Sequence, residues 1–455
     1  MMAMGFAEVL MLALLSGGTN SNDLISLVQP AHYFRTRQIE VSIDKMVSYA
    51  SEEPKDAKTQ IVQLTALRYL ADEAEALKKA PNYAAHRQTL EAIAAGKKGR
   101  DSLGFAEDYA SRVLLKLDNA KPELVKLRPL REDALGWFPT NTTLAAALDL
   151  RQSRQFGGAD DPLKELLKLM PDEARTEMYS FVEKSGNIRA ERVAFGLVDS
   201  PGQKEQMKIF LRLTGKGNQD WMAGAFKAID QGCVIAKHTT DDKNTPITLL
   251  QLTNSNPVII LVGNTDLLLL GYPGAGRNAK HEDLVSDVLD ARSMKKANAQ
   301  TGPLKDRLAK VPDKAVALLV GSMPEDMKQE FRFVFDPTPT TITAFIERAP
   351  QGLDVQVETS MANGEDAGKV VQKVGELRKQ GIAGLQQAMQ QAQPPGTPQI
   401  PFQTMMNVLE SLQVQSQADR VQVRAIVPET LLQTLPAMMG LRSFGGAEKK
   451  VEFKK

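Results

Sequence analysis

A chain of 455 residues that is 42% hydrophobic and 24% charged is long enough for two or three domains with proper cores, and its composition is that of a globular protein. Its 56 Lys and Arg nearly cancel 55 Asp and Glu, so no global field gathers polyanions, and aromatics at 5% offer few stacking platforms; both argue against nucleic acid as a partner. A single cysteine, Cys233, excludes an intrachain disulfide and a thiolate zinc site.

Met1 to Leu15 is apolar apart from Glu8 and is broken by Ser16-Gly17-Gly18. The apolar run and the small residues fit a secretory signal or a segment that touches a membrane surface. The first basic residue is Arg35, however, and the run falls short of the roughly 20 residues that a spanning helix needs. A short helix docking on the rest of the protein is the other reading. An exported, periplasmic or membrane-associated location and a cytoplasmic one both stay open.

From 24 to 130 the pattern is helical and repeat-like. Ile61, Leu64, Leu67, Ala71 and Ala74 line one face, as do Phe105, Tyr109, Val113 and Leu117 with Leu114 widening the stripe. The spacing of the two helices is that of paired-helix arrays. Gly96-Lys97-Lys98-Gly99-Arg100 between them reads as a solvated basic turn.

Two similar openings follow. Leu135-Gly136-Trp137-Phe138-Pro139 leads into an apolar run to Leu150, and Leu308-Ala309-Lys310-Val311-Pro312 leads into Val316 to Val320. Each reads as a helix end, a proline stop and a buried strand. After the first come a helix over 162–181, a hairpin of 192–198 and 207–213 around Pro201-Gly202, and a helix over 220–229. Strands 233–238, 247–252, 258–262 and 267–270 and a helix over 282–294 complete that segment. After the second come a helix over 324–331, a hairpin of 342–346 and 353–357, and helices over 366–380 and 402–412. A strand at 421–427 and a helix over 429–439 close it. Residues 386–401, rich in Gln and Pro, read as a flexible insert, and 443–455 as a charged tail.

The fold class expected is therefore α+β: a helical N-terminal region followed by two tandem antiparallel sheet-plus-helix sandwich units, over 131–303 and 304–442.

Signals for chemistry are sparse. Gly274-Ala275-Gly276-Arg277-Asn278-Ala279 fits G-x-G-x-x-A, which makes Gly274, Gly276 and Arg277 cofactor-binding candidates. Yet the strand before it belongs to a meander, and the helix after it starts Lys280-His281-Glu282-Asp283, so an exposed glycine loop explains it better and no cofactor is expected. His238, Asp241 and Asp242 are candidate metal ligands, or simply a polar hairpin end. Cys233 and His238, five residues apart on one expected strand, point to opposite faces and cannot act as a pair there. Ser42-Ile43-Asp44-Lys45 and Ser293-Met294-Lys295-Lys296 match S-x-x-K without the companion motifs of serine acyl enzymes.

The short apolar segment Phe6-Ala7-Glu8-Val9-Leu10 ending at Gly18, then helical-repeat-like residues and a duplicated α+β region, resembles a planctomycete-like group of bacterial proteins without an assigned activity. The resemblance implies an exported protein and carries over no functional residue. The function expected is that of a non-enzymatic binding or scaffold protein with a protein partner. The alternative is a hydrolase or small-ligand-binding enzyme with its site between the two α+β segments.

Overall fold

Proline and capping residues fix where the first helices begin. The computed structural model describes residues 28–101, 103–120, 129–149, 171–186, 189–198, 208–239, 245–251, 253, 258–271, 298–322, 337–390 and 402–428. It is an α+β fold with a helical N-terminal region and antiparallel strands. The chain divides into two compact units. Unit 1 is Met1–Leu127, Leu163–Val193 and Arg212–Gly271; unit 2 is Arg128–Pro162, Ala194–Leu211 and Tyr272–Lys455.

In unit 1, α1 (Pro30–Thr36) starts on a proline whose missing N–H costs nothing at that position. Ser42 caps α2 (Ile43–Ser51) by accepting from Lys45 N at 3.3 Å, which accounts for the first S-x-x-K match. Asp56 and Thr59 form a reciprocal capping box on α3 (Ala57–Asp72). After the short α4 (Ala74–Lys78) come α5 (Tyr83–Ala94) and α6 (Phe105–Leu117). Helices α2 and α3 pack as one pair and α5 and α6 as another, with α2 against α5 and α3 against α6. Ile61, Leu64, Leu67, Phe105, Val113 and Leu117 meet in one core. Buried Gln63 donates to the carbonyls of Ala50, Glu52 and Gly99 at 3.2, 2.8 and 2.6 Å, so it holds the 96–100 turn while Lys97, Lys98 and Arg100 stay exposed.

The same core takes in a helix from far along the chain. Met178, Tyr179 and Val182 of α8 (Asp172–Ser185) belong to it, and α8 packs on α3. The helical layer of unit 1 thus reaches beyond residue 130. The strands of unit 1 follow the order β3-β7-β6-β5-β4, from β3 (Lys208–Lys216), β4 (Val234–Thr239), β5 (Pro246–Gln251), β6 (Val258–Val262) and β7 (Asp266–Gly271). Helix α9 (Gln219–Ile229), capped by Asn218, packs Met222 and Ala223 against Cys233, Leu250, Ile259 and Leu261.

In unit 2, α7 (Leu130–Leu135) precedes β1 (Thr142–Asp149), and α10 (Lys305–Leu308) precedes β8 (Ala315–Ser322). Arg131 ties the two openings together by donating to the Val311 carbonyl at 2.6 Å and pairing with Asp313 at 2.5 Å. With β2 (Arg189–Val198), β9 (Thr341–Ala349), β10 (Gly352–Ser360), β11 (Gln413–Gln417) and β12 (Arg420–Val427), the order is β11-β12-β10-β9-β8-β1-β2. The first half of β2 and the second half of β3 lie in unit 1, and the rest of that hairpin in unit 2. Helices α11 (Gly364–Gln390) and α12 (Phe402–Ser411) pack on each other and on β11 and β12. Ala367, Val370, Val374 and Val421 are buried there.

One strand order occurs twice. Strands β1, β2 and β3 are sequential neighbours, a helix follows, and the last strand of the next set, β7, returns to β3. Strands β8, β9 and β10 are sequential neighbours, helices follow, and the last strand, β12, returns to β10.

One expectation needs correction. Residues 386–390, read from the sequence as the start of a flexible insert, continue α11, because Gln, Ala and Met are good helix formers. Strand β11 was not foreseen, since a run of Gln and Ser shows no apolar alternation. Trp137 sits in the turn before β1. The apolar segment 1–18, the Pro201-Gly202 turn, the helices expected over 282–294, 324–331 and 429–439, and the charged tail lie outside the described residues. No described helix is long and apolar enough to cross a membrane.

Candidate functional site

Helices α1, α3 and α8 of unit 1 enclose an open cleft of about 420 Å³, lined by Gln29, Pro30, Ala31, His32, Arg35, Tyr69, Asp72, Glu73 and Arg175. Helix α1 is sunk into the core, with Pro30, His32, Tyr33 and Phe34 all buried. Asp72 and Glu73 sit at the C-terminal end of α3. Arg175 and Asp172 come from the first turn of α8, where Asp172 and Glu173 complement the helix dipole.

A polar network ties α1 and its C-cap to α8. Tyr33 Oη donates to Glu183 Oε1 at 2.8 Å, while Arg37 forks onto both oxygens of Glu183 at 2.8 and 3.0 Å. Burial alone would raise the Glu183 carboxyl, but hydrogen bonds from Arg37 and Tyr33 more than offset it and hold the group below the usual carboxylate range. Burial, reinforced by the Glu183 charge, pushes the Tyr33 hydroxyl far up, so it remains a donor at any physiological pH.

His32 faces two partners. Its Nδ1 lies 2.9 Å from Tyr179 Oη, and its Nε2 lies 3.3 Å from Asp172 Oδ1. Burial lowers the imidazole pKa from 6.5, with the Arg175 charge acting in the same sense, and Asp172 only partly counters them. A neutral ring has one N–H. With Tyr179 donating to Nδ1, that N–H sits on Nε2 and points at Asp172. Rings of Tyr33 and Tyr179 meet edge-on at 5.4 Å and fix the geometry further.

The residues singled out from sequence fall elsewhere. Gly274, Gly276 and Arg277 lie outside the described residues, as do Asp241, Asp242, His281 and Ser293. His238 is on β4, paired with Ile247 of β5. Cys233 sits just before that strand, 1% exposed, with its thiol pushed up by burial first and by Asp230 second. Among the described residues no three His, Cys, Asp or Glu side chains are placed to hold a metal ion. The cleft itself was missed. Its one local signal was the density of His, Tyr and Arg in Pro30-Ala31-His32-Tyr33-Phe34-Arg35-Thr36-Arg37.

No protein-family model matches the chain. No curated protein matches it either. Among solved structures it is similar to TP0453. Crystal form I of that protein aligns at a TM-score of 0.33 and 8% identity, covering 68% of this chain and 97% of the other. Crystal form III aligns at 0.34 and 8%, covering 69% and 99%.

Proposed function

We propose that the protein is a non-enzymatic binding protein and that the cleft between α1, α3 and α8 is where it recognises a protein partner. The observation that supports this is preorganisation. Charged groups of both signs line a ready-made cleft, and α1 and α8, two of the helices that carry them, are tied together by the Tyr33–Glu183–Arg37 network. A cleft whose walls are already held in place needs less ordering of its backbone when a partner arrives. Affinity purification of the full chain from its source cell should return a stoichiometric partner, and an Arg35→Glu, Glu73→Lys double variant should lose it. A chain that elutes alone under gentle conditions overturns the reading.

One observation favours a second reading, an enzyme. His32 is neutral at pH 7 and touches both a tyrosine hydroxyl and a carboxylate, a set that can move protons. A hydrolase screen would then find turnover that His32→Gln abolishes without unfolding the chain. Absence of turnover across ester, amide and phosphoester substrates removes this reading.

A further inference from the structure

Four ionised side chains line the cleft: Arg35, Arg175, Asp72 and Glu73. Their formal charges cancel, and neutral His32 adds none. The cleft as a whole therefore favours neither an anion nor a cation.

The four differ in how they are engaged. Arg175 lies 3.4 Å from Asp172, and Asp72 lies 3.8 Å from Lys116. Arg35 and Glu73 are exposed, and among the described residues neither side chain makes a hydrogen bond or an ion pair. Among the described residues, then, nothing competes with a ligand for either side chain. They belong to different elements, Arg35 to α1 and Glu73 to the C-cap of α3. The lining also includes Tyr69 and the apolar Pro30 and Ala31.

We infer that this cleft binds a zwitterion of amino-acid to short-peptide size, with the ligand carboxylate on Arg35 and its ammonium on Glu73. A guanidinium presents two parallel N–H groups that match a carboxylate, and charge-assisted hydrogen bonds are about twice as strong as neutral ones. The ammonium donates to the Glu73 carboxylate, and Tyr69, also in the lining, is an aromatic side chain of the kind that attracts a cation. A singly charged ligand would satisfy one of these two groups and leave the other as it was. The inference rests on the reading of the cleft as the recognition site, and it names what chemistry occupies it.

Calorimetric titration of the full chain with glycylglycine tests it, with acetate, methylammonium and the doubly capped dipeptide as controls. Glycylglycine should bind saturably, and each control at least tenfold more weakly. Arg35→Ala and Glu73→Gln should each weaken glycylglycine at least tenfold. Both residues are exposed, so the unfolding temperatures of the variants should match the parent. Absence of saturable binding, equal binding of the capped dipeptide, or undiminished binding in both variants overturns the inference. If glycylglycine binds while purification returns no partner, the cleft is a small-ligand site and the protein-partner reading falls. If a partner is captured by a chain that ignores glycylglycine, the partner reading stands and this inference falls.

Discussion

Glu183 is the residue on which the cleft's foundation turns. Its carboxylate takes both N–H groups of Arg37 and the Tyr33 hydroxyl, and its side chain is only 13% exposed. Glu183→Ala leaves a half-buried guanidinium and a buried hydroxyl without their acceptor, and should lower unfolding free energy by about 2–3 kcal/mol in urea denaturation. Glu183→Gln should recover part of the loss. His32 makes a separate prediction. Its native pKa lies below the unfolded value of 6.5 because burial, then Arg175, disfavours the imidazolium. Above pH 6.5 both states are neutral and the stability is fully present. As pH falls through 6.5 the unfolded chain gains the proton first, and stability is lost. The unfolding temperature should therefore drop between pH 7 and 5.5, and His32→Gln should flatten that slope. Depressed carboxylates such as Glu183 and Asp354 give stability that is present above their ordinary values of 4.5 and 3.8 and is lost only as pH falls below them. None of this network was legible in the sequence, because Tyr33 and Glu183 are 150 residues apart and no periodicity links them.

At the scale of elements, the chain's own patterns carry much further. The stripe Phe105, Tyr109, Val113, Leu117 is the buried face of α6, and Leu114 packs at its margin. The alternation through Val193, Phe195 and Leu197 is β2, with Val193 and Leu197 buried. Apolar period and turn chemistry are local properties, so they can be read locally. What stops an element is harder to read. Helix α8 ends on Gly186, which has φ +71°, and a Cβ placed there would lie 2.4 Å from Trp221 Cε3. Gly186→Ala should cost about 2 kcal/mol or more, from left-handed strain together with displacement of the indole. Thermal denaturation with near-ultraviolet dichroism from the tryptophan would report both. Helix α11 extends through Gln390 because nothing in Gln386 to Gln390 opposes a helix, even though the same composition also suits a linker.

At the scale of the whole molecule, the two tryptophans fall in different units, Trp221 in unit 1 and Trp137 in unit 2. Each unit holds its own buried clusters, the large helical core in the first and the Val370–Val421 cluster in the second. Single-tryptophan variants, Trp137→Phe and Trp221→Phe, should therefore give different midpoints in guanidinium denaturation followed by fluorescence. Coincident midpoints would show that the units unfold as one. By itself the sequence determined the α+β class, the helical N-terminal region and the β-strands with apolar or alternating patterns, because local periodicity and proline stops encode them. Only the tertiary structure decided that α8 joins the N-terminal helices and that β7 and β12 return to β3 and β10. It also decided that Arg35 and Glu73 share one cleft. Those outcomes depend on which distant surfaces bury each other, and burial between segments far apart in the chain leaves no mark on the order of residues within either.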